Sequence, residues 1–185
     1  MKPTYVDFDH KKFQKKLSTS YDLRSEVGVL SYNYSKKIAP LWHFKTPKMA
    51  KKSSAEIYDI CVKLLKKTAQ QILDKNTSSI EEPFYNFIKA DICRKFLLMG
   101  YTRSMRYYYH KTGTKWGSRT VKIKGSSKKK TEYYILPFDY DPEKKISAKI
   151  FYKAHIKIRE SNLYIKLREW YKQNRHLINF DYNKV

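Results

Sequence analysis

Between residues 94 and 131 of this 185-residue chain lie 12 basic side chains and no carboxylate. The cations are Arg94, Lys95, Arg103, Arg106, Lys111, Lys115, Arg119, Lys122, Lys124, Lys128, Lys129 and Lys130. Tyr107, Tyr108, Tyr109, His110 and Trp116 are interleaved with them. Cations displace counterions from phosphates, and aromatic faces stack on unpaired bases, so this mixture suits a nucleic acid. The whole chain carries 40 Lys and Arg against 17 Asp and Glu, a formal net charge of +23, and this one stretch supplies 12 of that excess. A genome rich in A and T adds lysines along a whole chain. It does not strip carboxylates from one segment or gather four of eight arginines there. Like charges so crowded repel one another unless something compensates. The bland alternative is that the tyrosines pack a core while the lysines are merely solvated.

The predicted nucleic-acid contacts are Arg94, Arg103, Arg106, Tyr107, His110, Lys111, Lys115, Trp116, Arg119, Lys122, Lys124, Lys128, Lys129 and Lys130. No catalytic residue, cofactor or metal is expected. Phosphodiester cleavage needs convergent carboxylates or histidines, and Asp91 and Glu132 flank the basic stretch rather than enter it. Asp139 and Asp141 are close in sequence, but Asp141-Pro142 reads as a helix cap. There is no Gly-rich phosphate loop, no HExxH and no paired CxxC. Cys61 and Cys93 lack zinc or disulfide-framework spacing and fall on apolar helix faces, where buried thiols are the plain reading.

The elements that would position the site follow from periodicity. Residues 1–52 read as an irregular, aromatic-rich segment in which Pro40 and Pro47 exclude a long helix, with Trp42 and Phe44 as anchors. A helical core spans 53–111. Ser53 and Glu56 have capping-box spacing for a first helix, followed by Ile57, Cys61, Leu64, Leu65 and Ile72. A second helix starts at Glu81-Glu82-Pro83 with Phe84, Phe87, Ile88, Ile92 and Phe96 inward, and Gly100 is its predicted stop. Thr102 caps a third, short helix carrying Arg103 and Arg106. That outline suggests a helix-turn-helix, but Phe96 and Lys95 stand where the motif wants a small and an apolar residue, so base reading is not expected. Residues 112–138 form a basic β-hairpin, with strands over 119–124 and 131–136 and a turn between. Helices return over 139–176, the first capped by Asp141 and running through Ala148, Phe151, Ala154 and Ile158. Ser161 or Asn162 breaks it, and the last turns Leu163, Leu167, Trp170 and Tyr171 inward. The fold class is therefore mainly α with a small antiparallel β-hairpin (α+β), in a single compact domain over 1–185. No signal peptide or membrane span is evident, so an intracellular protein is expected, in cytoplasm or nucleus, with no membrane partner.

The run from Asp91 to Gly113, DICRKFLLMGYTRSMRYYYHKTG, resembles a family of uncharacterised proteins, a domain of unknown function found in bacteria, tailed phages and large DNA viruses. Glu26–Leu30, Leu41–Pro47 and the Asp141-Pro142-Glu143-Lys144 helix with Phe151 are similar as well. The resemblance implies one intact domain in which Arg94, Thr102, Arg103, Arg106, Tyr107 and His110 form a shared feature. The lysine-rich 114–136 hairpin looks longer and more basic than is usual in that family. The leading expectation is a non-enzymatic, largely sequence-independent nucleic-acid-binding protein. The first alternative is a structural or interaction protein, such as a minor virion component meeting other proteins of a viral assembly. The second is an enzyme acting on nucleic acid, with His110, Arg103 and Arg106 at its site.

Overall fold

Thr46 opens the first long helix: its hydroxyl accepts from the Met49 N–H at 3.2 Å, and Pro47 follows where its missing N–H is harmless. In the computed structural model, which describes residues 29, 30, 32–74, 79–123 and 127–185, this helix follows a short helix and a 3₁₀ turn. The order is α1 (Ser35–Ile38), a 3₁₀ turn (Ala39–Leu41), α2 (Pro47–Leu73), α3 (Glu81–Tyr109), β1 (Trp116–Lys122), β2 (Lys129–Ile135), α4 (Pro142–Arg159) and α5 (Asn162–Asn174), with 3₁₀ turns at 175–177 and 182–184. Of the expected irregular segment at 1–52, residues 1–28 and Ser31 lie outside the described residues, as do 75–78, Lys124 of the expected first strand and Gly125 and Ser126 of the expected turn.

α2 thus begins six residues before the predicted start at Ser53. The Ser53 hydroxyl has a different task. It is buried, donates to the Leu41 carbonyl at 2.5 Å and accepts from the His43 N–H at 3.0 Å. That pair of bonds straps the Pro-containing segment to α2. It leaves Trp42 edge-on to Phe96, with ring centroids 5.8 Å apart, and 5.3 Å from Phe44, which makes the two aromatics the expected anchors.

α3 departs most from expectation. It starts where predicted, with Glu81 and Glu82 in its first turn, but it does not stop at Gly100. It continues as one helix to Tyr109, about 43 Å at 1.5 Å per residue. Gly100 is present for closeness: a Cβ there would lie 2.5 Å from the ring of Phe151 on α4. Thr102, expected as an N-cap, sits in the helix with its hydroxyl on the Met99 carbonyl. The separate basic helix and the helix-turn-helix outline therefore both disappear.

From Pro83 to Gly100, α3 is buried on nearly every side, as a helix must be when neighbours cover it all round. α2 and α4 flank it, and α2 also touches α4. α5 covers the N-terminal half, stacking Tyr171 on Phe84 at 4.8 Å and Tyr164 on Phe87 at 5.9 Å. Asp141 caps α4 by accepting from the Glu143 and Lys144 N–H groups, and Ser161 caps α5 through Tyr164 N–H. Leu167 and Tyr171 are buried, while Leu163 and Trp170 are half-buried against the core. Cys61 and Cys93 are buried free thiols, both with pKa raised by burial, Cys93 to about 12. Among the described residues no helix is long and apolar enough to cross a membrane. The chain is mainly α with one two-stranded antiparallel hairpin, in a single compact domain.

The Gly100–Phe151 contact gives a test. Gly100→Ala gains up to about 1 kcal/mol of helix propensity, but crowding a filled core costs about 1–3 kcal/mol. Net destabilisation is expected, read as a lowered urea midpoint. A midpoint that rises would show that the helices part without loss.

Candidate functional site

The fourteen predicted contact residues separate into two groups along the chain. Those on α3 are largely taken up by the protein itself. Arg94, predicted as a surface contact, has a side chain only 14% exposed; its Nε donates to Asp91 Oδ1 at 2.5 Å, and its guanidinium lies over the Tyr164 ring. Lys95 Nζ reaches the other carboxylate oxygen at 3.3 Å, and Tyr164 Oη donates to Oδ1 at 2.8 Å. Burial alone would raise the Asp91 pKa, but the Arg94 and Lys95 charges and the Arg94 and Tyr164 hydrogen bonds override it. The carboxyl is held well below the ordinary range. Arg94 belongs to this internal cluster, and to no solvent-facing surface.

His110 is a second correction. It is 6% exposed, its ring lies 5.3 Å from Phe138, and its Nδ1 has no hydrogen-bond partner among the described residues. Tyr107 is half-buried against Phe44, and Arg103 lies over the Trp42 ring, both serving the strap described above. Arg106 remains exposed on the last turns of α3.

The second group lies on an arm. α3 ends at Tyr109 with His110 as its C-cap, and Gly113 turns the chain with φ +71°, its N–H donating to the His110 carbonyl at 2.7 Å. Only glycine suits this position, since the region favours no side chain and a Cβ would strike the Tyr107 ring at 2.6 Å. β1 and β2 then pair from Trp116↔Ile135 to Lys122↔Lys129. β1 therefore begins nearer the root than the predicted 119–124, and β2 begins nearer the tip than the predicted 131–136. The chain returns along the end of α3, with Asp139 N–H on the Tyr109 carbonyl at 3.0 Å and Asp141 N–H on the Tyr108 carbonyl at 3.1 Å. Tyr108, Tyr109, Phe138 and Tyr140 pack together at this root.

Beyond the root the arm has little contact with the helices. Lys111, Lys115, Trp116, Arg119, Lys122, Lys128, Lys129 and Lys130 are all exposed. The one described carboxylate on the strands, Glu132, receives Arg119 at 3.2 Å. The predicted contact Lys124 lies outside the described residues. The basic run therefore does not make one continuous surface. Its first part is internal, and its second part is a projecting ribbon with Arg106 near its root.

Sequence reasoning missed the ribbon's exposed apolar side chains. Tyr133, Tyr134, Ile135, Phe138 and Tyr140 all face solvent in good part. Tyr133, Tyr134 and Ile135 fall in the expected partner strand 131–136, and in a globular sheet one face of such a strand is covered. The available signal was the lack of any second apolar strand to cover it.

Two outcomes check the internal cluster. Asp91→Asn leaves Arg94 and Lys95 without their buried counter-charge, so a loss of about 3–5 kcal/mol is expected in urea unfolding. His155, buried with Nδ1 3.3 Å from the Arg94 carbonyl, has its pKa lowered to about 4 by burial and then by the Arg94 charge, with Arg159 adding and Asp91 opposing. The unfolded chain takes up a proton at His155 in the ordinary imidazole range, whereas the folded chain resists until about pH 4. Stability attributable to this group is thus full at neutral pH and falls as pH drops from about 6.5 toward 4. His155→Gln is expected to shrink the difference between urea midpoints measured at neutral pH and at pH 5.

No curated protein and no solved structure matches the chain. A family model described as a domain of unknown function (DUF4385) matches residues 4–174, which takes in the α3 cluster, the arm and both closing helices. With nearly its whole length inside that match, the chain belongs to the DUF4385 family.

Proposed function

We propose that the protein binds nucleic acid through the hairpin arm and catalyses no reaction on it. The observation that carries this reading is a projecting ribbon whose exposed cations, Lys111 to Lys130, face a single described carboxylate on its strands. Lysines on a thin ribbon engage phosphates as point charges, and phosphate contacts hold register without reading bases. Sequence preference is therefore weak. Of the groups that a reaction would recruit, His110 is buried against Phe138 and Asp141 caps α4. The protein then works where nucleic acid is held, inside a cell or a virion.

Exposed Phe138 and Tyr140 favour a second reading, in which the root of the arm docks on a partner protein such as one of a viral assembly. That reading expects stoichiometric presence in an assembly and weak affinity for free nucleic acid.

Filter binding at stepped salt distinguishes them. If the arm meets about five to eight phosphates, log affinity for duplex DNA falls with log salt at a slope of about −4.5 to −7. Replacing Lys111, Lys128, Lys129 and Lys130 by Gln is expected to reduce that slope by up to about 3.6 without changing the urea midpoint. No binding at low salt, or binding indifferent to salt, rejects the proposal.

A further inference from the structure

The two faces of the hairpin are not alike. In an antiparallel pair, directly opposed residues share a face. One face therefore carries Trp116 with Ile135, Ser118 with Tyr133, Thr120 with Thr131, and Lys122 with Lys129. The other carries Gly117 with Tyr134, Arg119 with Glu132, and Val121 with Lys130. All eight residues of the first face are exposed, whereas Gly117, Val121 and Glu132 on the second are partly covered.

The second face is occupied by its own chain. Arg119 is held by Glu132 through both Nε and a terminal nitrogen, and the Tyr134 ring lies against Gly117 so closely that a Cβ would meet it at 2.6 Å. On the first face there is no carboxylate. Trp116 is 54% exposed, and Tyr133, at 72%, is the most exposed aromatic ring among the described residues. The two are diagonal neighbours, about 7–8 Å apart at the backbone. Lys122 and Lys129 stand four residues farther along the ribbon than Tyr133 does, roughly 13 Å.

We infer that this open face binds single-stranded nucleic acid, with bases stacked on Trp116 and Tyr133 and the backbone drawn along Lys122 and Lys129. The inference rests on the nucleic-acid reading above and narrows it to one class of target. In a duplex each base face is already covered by the next base pair, so a protein ring meets only edges, sugars and phosphates. An unpaired strand offers free base faces, and every base has one, so stacking tolerates any sequence. A ribbon meant only for a duplex backbone or groove gains nothing from two rings held out in water. A strand whose bases lie on the rings at one end carries its following phosphates toward the cations at the other. Ser118, Thr120 and Thr131 lie between them as neutral hydrogen-bonding groups.

The experiment compares fluorescein-labelled oligo(dT), oligo(U) and a DNA duplex of equal length, titrated with the full-length protein at moderate salt. Either single strand is expected to bind more tightly than the duplex, the two oligomers telling DNA from RNA. Trp116→Ala and Tyr133→Ala are each expected to weaken single-strand binding about 5- to 100-fold. Their salt slope is expected to stay the same, because no charge is removed. Trp116→Phe should keep most of the affinity yet lose the base-induced quenching of tryptophan fluorescence, a readout that a misfolded ribbon would not give. Lys122→Gln with Lys129→Gln is expected to reduce the single-strand salt slope by about 1.4. Duplex binding as tight as single-strand binding and indifferent to both ring variants overturns this inference while leaving the broader reading in place. Failure of the unaltered protein to bind any of the three overturns both.

Discussion

There is no room for a methyl group between Gly100 and the ring of Phe151, and the architecture follows from that contact. It lets α4 lie directly on the middle of α3, so one uninterrupted helix passes through the core and emerges on the far side. The first two-thirds of α3 supply buried apolar surface to every neighbour. The last turns carry Arg106 into solvent and hand the chain to the arm. Because the helix continues past Gly100, the arm's root is set by the helix end, through Asp139 and Asp141 on the Tyr109 and Tyr108 carbonyls.

The same helix settles where the charge goes. Arg94 and Lys95 lie in its buried stretch and are kept there by Asp91, which Tyr164 also binds. A carboxylate removed from water is tolerated only with such compensation, and two cations on one carboxylate already use its capacity. Further cations in the core would have nothing to pair with. The remainder of the basic run is accommodated by distance from the body, on a ribbon where water and mobile ions screen it.

Much of this was readable from the chain. The apolar stripe of α3, the acidic start at Glu81, the cap at Asp141, the break at Ser161 and the existence of the hairpin all came from local rules. Three things did not. A glycine that ends one helix and a glycine that admits a neighbouring ring look the same in sequence, and only Phe151, 51 positions later, tells them apart. Ser53 has the spacing of a cap, but its hydroxyl is claimed by Leu41 and His43 in a segment that folds back over α2. The acid-free run looks like one surface in sequence because its compensating carboxylate, Asp91, sits three residues outside it, one helical turn from Arg94. In each case a local signal was outvoted by a partner brought close in space.

The arm itself poses an energetic question. A lone two-stranded ribbon is marginally stable in water, and like charges set directly opposite each other weaken it further. Lys122 stands across from Lys129, and Lys130 follows on the other face. The one described cross-strand pair of opposite sign is Arg119 with Glu132, nearer the root, and both partners are exposed enough for solvent to blunt it. Apolar cover gives little help, since Trp116, Tyr133 and Ile135 face water. The ribbon is held mainly at its base, by backbone pairing and by the ring cluster around Tyr109 and Phe138. The ribbon is arranged against its own stability, with repelling ammonium groups toward its tip and unburied rings toward its root. On the proposed reading, a polyanion bearing free planar faces would relieve both conditions together, its phosphates offsetting the repulsion and its bases covering the rings.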